Sequence, residues 1–140
     1  LCSNLMTSQK IKDGEILLCL PQNHPLKELQ TIPFYLLKDE PIIMHKREGT
    51  YHRKLILEEF NRYQFTPNIV FTSDLVENIK TLVADGIGIS FLVDVIAENT
   101  PNIICHSLED PLYIEIGVVW KKGKYLTNAQ QEIIDFIKSI

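Results

Sequence analysis

Residues 71–93, FTSDLVENIKTLVADGIGISFLV, decide how this chain folds. They read as the end of a strand, a capped helix, a glycine stop and a buried strand, in that order. Ser73 and Asp74 are N-cap residue types, and Asp74 with Glu77 has capping-box spacing. Leu75, Ile79 and Leu82, with Val76 and Val83 beside them, fall on one helical face. Gly86 stands where a left-handed C-terminal cap is wanted. Residues 87–93 form an apolar run suited to a strand covered on both faces. The G-x-G at Gly86 and Gly88 invites a dinucleotide reading, but it follows a helix and precedes a strand. A phosphate-binding fingerprint needs the opposite order and a third glycine, and Phe91 occupies that place. These glycines therefore read as capping and close packing, and no cofactor is expected.

Working outward, NIVFT (68–72) is a strand, and Pro41 opens another at 42–45. Between them KREGTYHRKLILEEFNRYQF changes to a helical period, with Thr50 as N-cap and Ile56, Phe60 and Tyr63 as the inner stripe. Glu58, Glu59 and Arg62 suggest its solvated outer face. Strands alternating with helices from 41 to 93 argue for an α/β domain with a mostly parallel sheet. Ligands bind such sheets at the carboxyl ends of the strands, here residues 45–50 and 72–74.

Farther out, a turn at Lys12, Asp13 and Gly14 precedes a strand at 15–20, and Pro25 opens a short helix to Leu29. The segment FYLLKDE between Pro33 and Pro41 reads as a loop or irregular strand. After residue 93 come a short helix at 94–98, a turn at 99–102, and strands at 103–106 and 112–120. A basic turn (Lys121, Lys122, Lys124) reads as a solvated tip. The last element is a helix capped by Thr127 and Gln130, with Ala129, Ile133, Phe136, Ile137 and Ile140 as its apolar stripe.

The 140 residues suffice for one domain or two small lobes, and the net charge of −4 lacks the basic bias of a nucleic-acid surface. No apolar run approaches the roughly 20 residues of a membrane helix. The opening LCSNLMTSQK lacks the features of a secretory signal and an initiator Met, so a longer parent chain is expected. Cys2, Cys19 and Cys105 are odd in number and widely spaced, which suits buried free thiols in a reducing cytoplasm. His45 and His52 match no metal-ligand spacing and read as scattered core or surface residues, so no metal is expected. Ser90 in GIGISFL lacks the second glycine of a nucleophile elbow. No catalytic constellation emerges, and the chain reads as a binding module rather than an enzyme.

One segment has chemical promise: His45, Lys46, Arg47, Glu48, Gly49 and Thr50 join a buried strand to a helix N-terminus. Free backbone N–H groups and the helix dipole favour an anion there. Lys46 and Arg47 add charge, and Gly49 lets a ligand approach the backbone. Thr50 offers its hydroxyl either to a ligand or to its own helix. A solvated loop with an ordinary cap uses the same residue types, and on residue types alone that reading is preferred.

Four stretches together resemble the effector-binding domain of LysR-type transcriptional regulators. They are GEILLCLPQNHPL, then PIIMHKREGTYHRKLILEEF with TPNIVFTSD, then ENIKTLVADGIGISFLV, and last IGVVWKKGKYLTNAQQEIIDFI. The third is the strongest single match, and the order and spacing hold over nearly the whole chain. The resemblance implies a type 2 periplasmic-binding-protein-like fold, in which two Rossmann-like lobes are joined by two crossing strands. Residues 1–21 then supply part of the first lobe and one crossing (17–21). Residues 22–112 make a complete second lobe, and 113–140 supply the other crossing (113–117) and the C-terminal helix. The first lobe is partial, with its opening elements and a DNA-binding helix-turn-helix expected upstream. A second subunit is expected to cover the stripe of the last helix, giving a homodimer or higher homo-oligomer.

The resemblance also implies a small effector, and Lys46 and Arg47 point to an anionic one. Family contacts fall on the loop at 45–50, with a hydroxyl contact at Thr50, and this shifts the balance there toward function. Thr72 and Ser73 near the same cleft rank second. The implied protein is cytoplasmic, crosses no membrane and touches DNA only through the upstream domain. A transport solute-binding protein and a prephenate dehydratase-like enzyme share the fold and stand as the alternatives. The free cysteines weigh against the first, and the missing Thr/Ser-rich catalytic motif against the second.

Overall fold

The computed structural model describes the backbone of residues 6–46 and 50–121 and the side chains of 13–46 and 50–115. The chain divides into two compact units, residues 15–112 and the two ends, 1–14 with 113–140. The described part of the second unit is the outer run of two long strands, β1 (Met6–Pro21) and β6 (Ile103–Lys121). Both strands correct the sequence reading. The turn at Lys12, Asp13 and Gly14 does not form, and the expected pair of strands at 103–106 and 112–120 is one continuous strand. Local turn signals yield here to ladder pairing, since a long paired strand satisfies every backbone group that a turn would expose. The expected C-terminal helix and its stripe, and Lys122 and Lys124, lie outside the described residues.

The larger unit contains β2 (Thr31–Ile32), β3 (Pro41–His45), β4 (Asn68–Ser73) and β5 (Ser90–Val93). With them go helices α1 (Tyr51–Arg62), α2 (Val76–Ala84) and α3 (Asp94–Ala97). Two 3₁₀ turns, Pro25–Glu28 and Phe34–Leu37, precede β3. The second replaces the loop or irregular strand expected there, because Phe34 and Leu37 are both buried. One sheet runs β2-β6-β1-β5, with β2 parallel to β6 and β5 antiparallel to β1. β3 and β4 pair in parallel, placing His45 opposite Ser73. The Ile43 N–H donates to the Ile89 carbonyl and the Ile89 N–H to the Pro41 carbonyl, both at 2.8 Å. Just before β5, Ile89 thus bridges to β3 in parallel, and β3 stands between β4 and the start of β5.

That placement explains the layers. The chain leaves β3 for β4 on one side, then returns past β3 to β5 on the other. Right-handed crossovers put α1 and α2 on opposite faces when the direction reverses. The packing agrees. Phe60 of α1 meets Phe91 of β5 with ring centroids 6.1 Å apart, and Phe34 and Tyr63 stack beside them at 5.1 Å. The next residue of β5, Leu92, points the other way and joins Ile79 and Val83 of α2, Ala97 of α3, Ile43 and Cys19. Covered on both faces, β5 is buried at all four positions, and hence reads as an unbroken apolar run.

Ends and faces of the helices follow local chemistry with three corrections. Gly86 has φ of +79°. Its N–H donates to the Val83 carbonyl (2.9 Å) and the Ile87 N–H to the Leu82 carbonyl (3.1 Å), a Schellman stop for α2. At the other end of α2 the N-cap is Leu75, not Ser73 or Asp74, and no side chain caps it. Leu75 is also exposed rather than part of the inner stripe. On α1, Ile56 and Phe60 are fully buried as expected, but Glu59 is buried too. It is tied to the Arg62 guanidinium at 2.7 and 3.2 Å, because a carboxylate leaves water only with a charged partner.

Gly88 is needed for the close approach of β5 to β3. A Cβ there would lie 2.7 Å from the Pro41 carbonyl oxygen. Cys19 and Cys105, distant in sequence, lie with their sulfurs 3.6 Å apart as free thiols. Their mutual hydrogen bond, with burial behind it, pushes the Cys19 thiol well above its usual range, while the same contact lowers that of Cys105.

Candidate functional site

The reversal of strand order around β3 opens a crevice at the carboxyl ends of β3 and β5. A cavity of about 200 Å³ lies there. Its walls are His45 from the end of β3, Thr50 and His52 from the start of α1, Val76 from the start of α2, Leu92 and Val93 from β5, and Ile96 from α3. Five elements thus converge on one small space, and every polar contributor comes from the β3–α1 junction.

Thr50 caps α1 by accepting from the Arg53 N–H, at a long 3.4 Å. The Arg53 guanidinium turns back and donates to the His45 carbonyl at 2.6 Å, closing the junction across its base. The Lys46 N–H donates to the Ser73 carbonyl (2.8 Å), which extends the β3–β4 pairing by one residue, and its side chain is exposed. Arg47, Glu48 and Gly49 lie outside the described residues.

His52 is the residue that the sequence reading missed. Read as scattered, it and His45 in fact line the same cavity. Its ring is pushed down to about 4, first by burial and then by the neighbouring His45, so it is neutral at pH 7. Its Nε2 is buried and has no hydrogen-bond partner. The one signal for it in the sequence is its place in the first turn of a helix that follows a parallel strand, which faces the crevice.

On β4, Thr72 and Ser73 pair with Met44 and His45 of β3, but neither Thr72 nor Ser73 is among the residues that line the cavity. Thr72 is exposed. The Ser73 hydroxyl is spent on its own turn, accepting from the Leu75 N–H at 3.1 Å and from Asn78 Nδ2 at 3.5 Å. Among the described residues no group of three or more His, Cys, Asp or Glu is placed to hold a metal ion, and no helix is long and apolar enough to cross a membrane.

A family model for the LysR substrate binding domain matches residues 3–139. The chain is 27% identical over 131 residues to an uncharacterised HTH-type transcriptional regulator, YybE, of Bacillus subtilis strain 168, covering 93% of this chain and 44% of that protein. Among solved structures it is similar to a LysR family regulator from Pseudomonas aeruginosa, described as putative, with TM-score 0.79 and 20% identity. That match covers 99% of this chain and 49% of the other. It is similar as well to the regulatory domain of CcmR from Synechocystis PCC6803 in complex with 2-PG, with TM-score 0.76 and 23% identity, covering 99% of this chain and 69% of the other. The chain spans about half the length of the curated relatives it matches.

Proposed function

Because this chain belongs to the LysR substrate binding domain family, we propose that it senses a small organic metabolite for a transcriptional regulator whose DNA-binding helix-turn-helix lies upstream. The observation that carries this reading is the cavity at the reversal of strand order, where β3, β5 and the starts of α1 and α2 meet. Ligand complexes form at such places because side chains from several elements converge there and helix N-termini offer free N–H groups. The solved CcmR regulatory domain holds 2-PG, which supports an effector role for this type of domain.

On this reading residues 22–112 are the second lobe, residues 17–21 and 113–117 the crossings, and the remaining elements part of a first lobe. The parent protein acts as a cytoplasmic homodimer or higher homo-oligomer. The effector places an apolar body in the cavity and directs its polar, acidic end to the N-terminal turn of α1, where Lys46, Arg47, Glu48, Gly49 and Thr50 receive it. Thr72 and Ser73 frame the junction from β4. The regulator responds because the effector binds its alternative arrangements with different affinities.

A thermal-shift screen of small organic acids tests the proposal, followed by titration of each hit into Lys46→Ala, Arg47→Ala and Thr50→Ala. Each variant is expected to weaken a true effector several-fold. A hit that binds all three as tightly as the unaltered protein would place the effector elsewhere.

A further inference from the structure

We propose that the effector carries a hydroxyl on its apolar body and that this hydroxyl donates a hydrogen bond to Nε2 of His52. This deepens the effector reading and rests on it. Three observations lead there.

The first is size. A dry apolar cavity of about 150 Å³ holds benzene, so the space of about 200 Å³ takes one substituted six-membered ring. The second is the wall. Val76, Leu92, Val93 and Ile96 offer a buried charge nothing, so the part of the ligand that enters is uncharged.

The third is a buried polar atom on the cavity-lining His52 that has no hydrogen-bond partner among the described residues. The Phe91 backbone carbonyl beside the His52 ring favours a proton on it, an effect outweighed by burial. Nε2 has no partner, so the N–H that faces Phe91 is Nδ1. A neutral imidazole carries one proton, and with Nδ1 protonated Nε2 is an acceptor. It is buried and unpaired, which is a standing cost that an incoming donor removes. A ligand with a methyl group in that place leaves the cost in full. A ligand with a carboxylate there adds a repulsive acceptor–acceptor contact.

The test titrates three probes of one shape, phenol, toluene and benzoate, into the protein. The methyl signals of Val76, Leu92 and Ile96 locate binding, and the Nε2 nitrogen shift of His52 reports the hydrogen bond. Phenol is expected to bind about fivefold more tightly than toluene, and to move the Nε2 signal while toluene does not. In His52→Phe the preference for phenol over toluene is expected to vanish. The Nε2 signal reads the same contact in the unaltered protein, so the test stands even if that variant fails to fold. Equal affinity for phenol and toluene, or a stationary Nε2 signal with phenol bound, overturns the hydroxyl assignment and leaves the effector reading intact. Binding of none of the probes at those methyl groups, with an acid from the screen bound at Thr50, also overturns the inference alone. Failure of every probe and every acid to bind overturns both.

Discussion

Two strand-to-helix junctions lie next to each other in the larger unit, and they have opposite characters. At the β4–α2 junction two residues, Asp74 and Leu75, separate strand from helix, and the polar groups are consumed locally. Ser73 takes the Leu75 N–H and the Asn78 amide, and the N-cap residue itself is apolar. At the β3–α1 junction residues 46–50 intervene. Its cap hydrogen bond is long, and the neutral imidazole of His52 keeps a buried nitrogen without a partner. Both junctions end strands of the same parallel pair, with His45 opposite Ser73. Fold position alone therefore does not make a site. What separates the two is whether local hydrogen bonding leaves anything for a ligand to satisfy.

The largest expected effect breaks the comparison by removing the frame that holds both junctions. Gly88→Ala drives a Cβ against the Pro41 carbonyl, and because the obstacle is backbone it is expected to cost about 3 kcal/mol. Chemical denaturation measures it, and a loss under about 1 kcal/mol would show that β3 and β5 separate freely.

The next effect separates the junctions by pH. His52 has a folded value of about 4 against 6.5 unfolded, so between these the unfolded chain binds more protons and stability falls as pH falls. The loss by pH 5 is about 2 kcal/mol, and none remains to be gained above pH 7. Denaturation midpoints of the unaltered protein and His52→Phe at pH 7 and pH 5 test it. A variant that loses as much as the parent would refute the buried neutral imidazole.

Two smaller substitutions sharpen the contrast. Ser73→Ala orphans the Leu75 N–H and is expected to cost about 1 kcal/mol, with little change in effector affinity. Thr50→Ala is expected to cost about 0.5 kcal/mol of stability, because its cap bond is long, yet to weaken the effector several-fold. Paired melting and binding curves check both, and a reversed pattern would exchange the roles of the two junctions.

Much of the frame was legible in the sequence because its signals are local. Gly86 could be placed from helix length and its own tolerance of positive φ, and Ile56 and Phe60 from the period of α1. Glu59 was misread because its burial depends on the Arg62 pairing, which a helical wheel does not show. The turn at Lys12, Asp13 and Gly14 was misread because a ladder partner from the far end of the chain overrides a local preference. His52 was missed because a histidine in a first turn has the same sequence signature whether or not its nitrogen finds a donor.

By itself, then, the sequence determined the alternation of strands and helices from 41 to 93, the parallel pairing within it, the two-sided burial of β5 and the family resemblance, all of which rest on periodicity and on residues next to one another in the chain. Only the tertiary structure decided which junction keeps an unsatisfied group. That depends on His52 sharing a cavity with Val76, Leu92 and Ile96, which leaves its buried Nε2 without a partner. Partners so far apart in the chain leave no local pattern, because hydrogen-bond satisfaction is a property of distances in space.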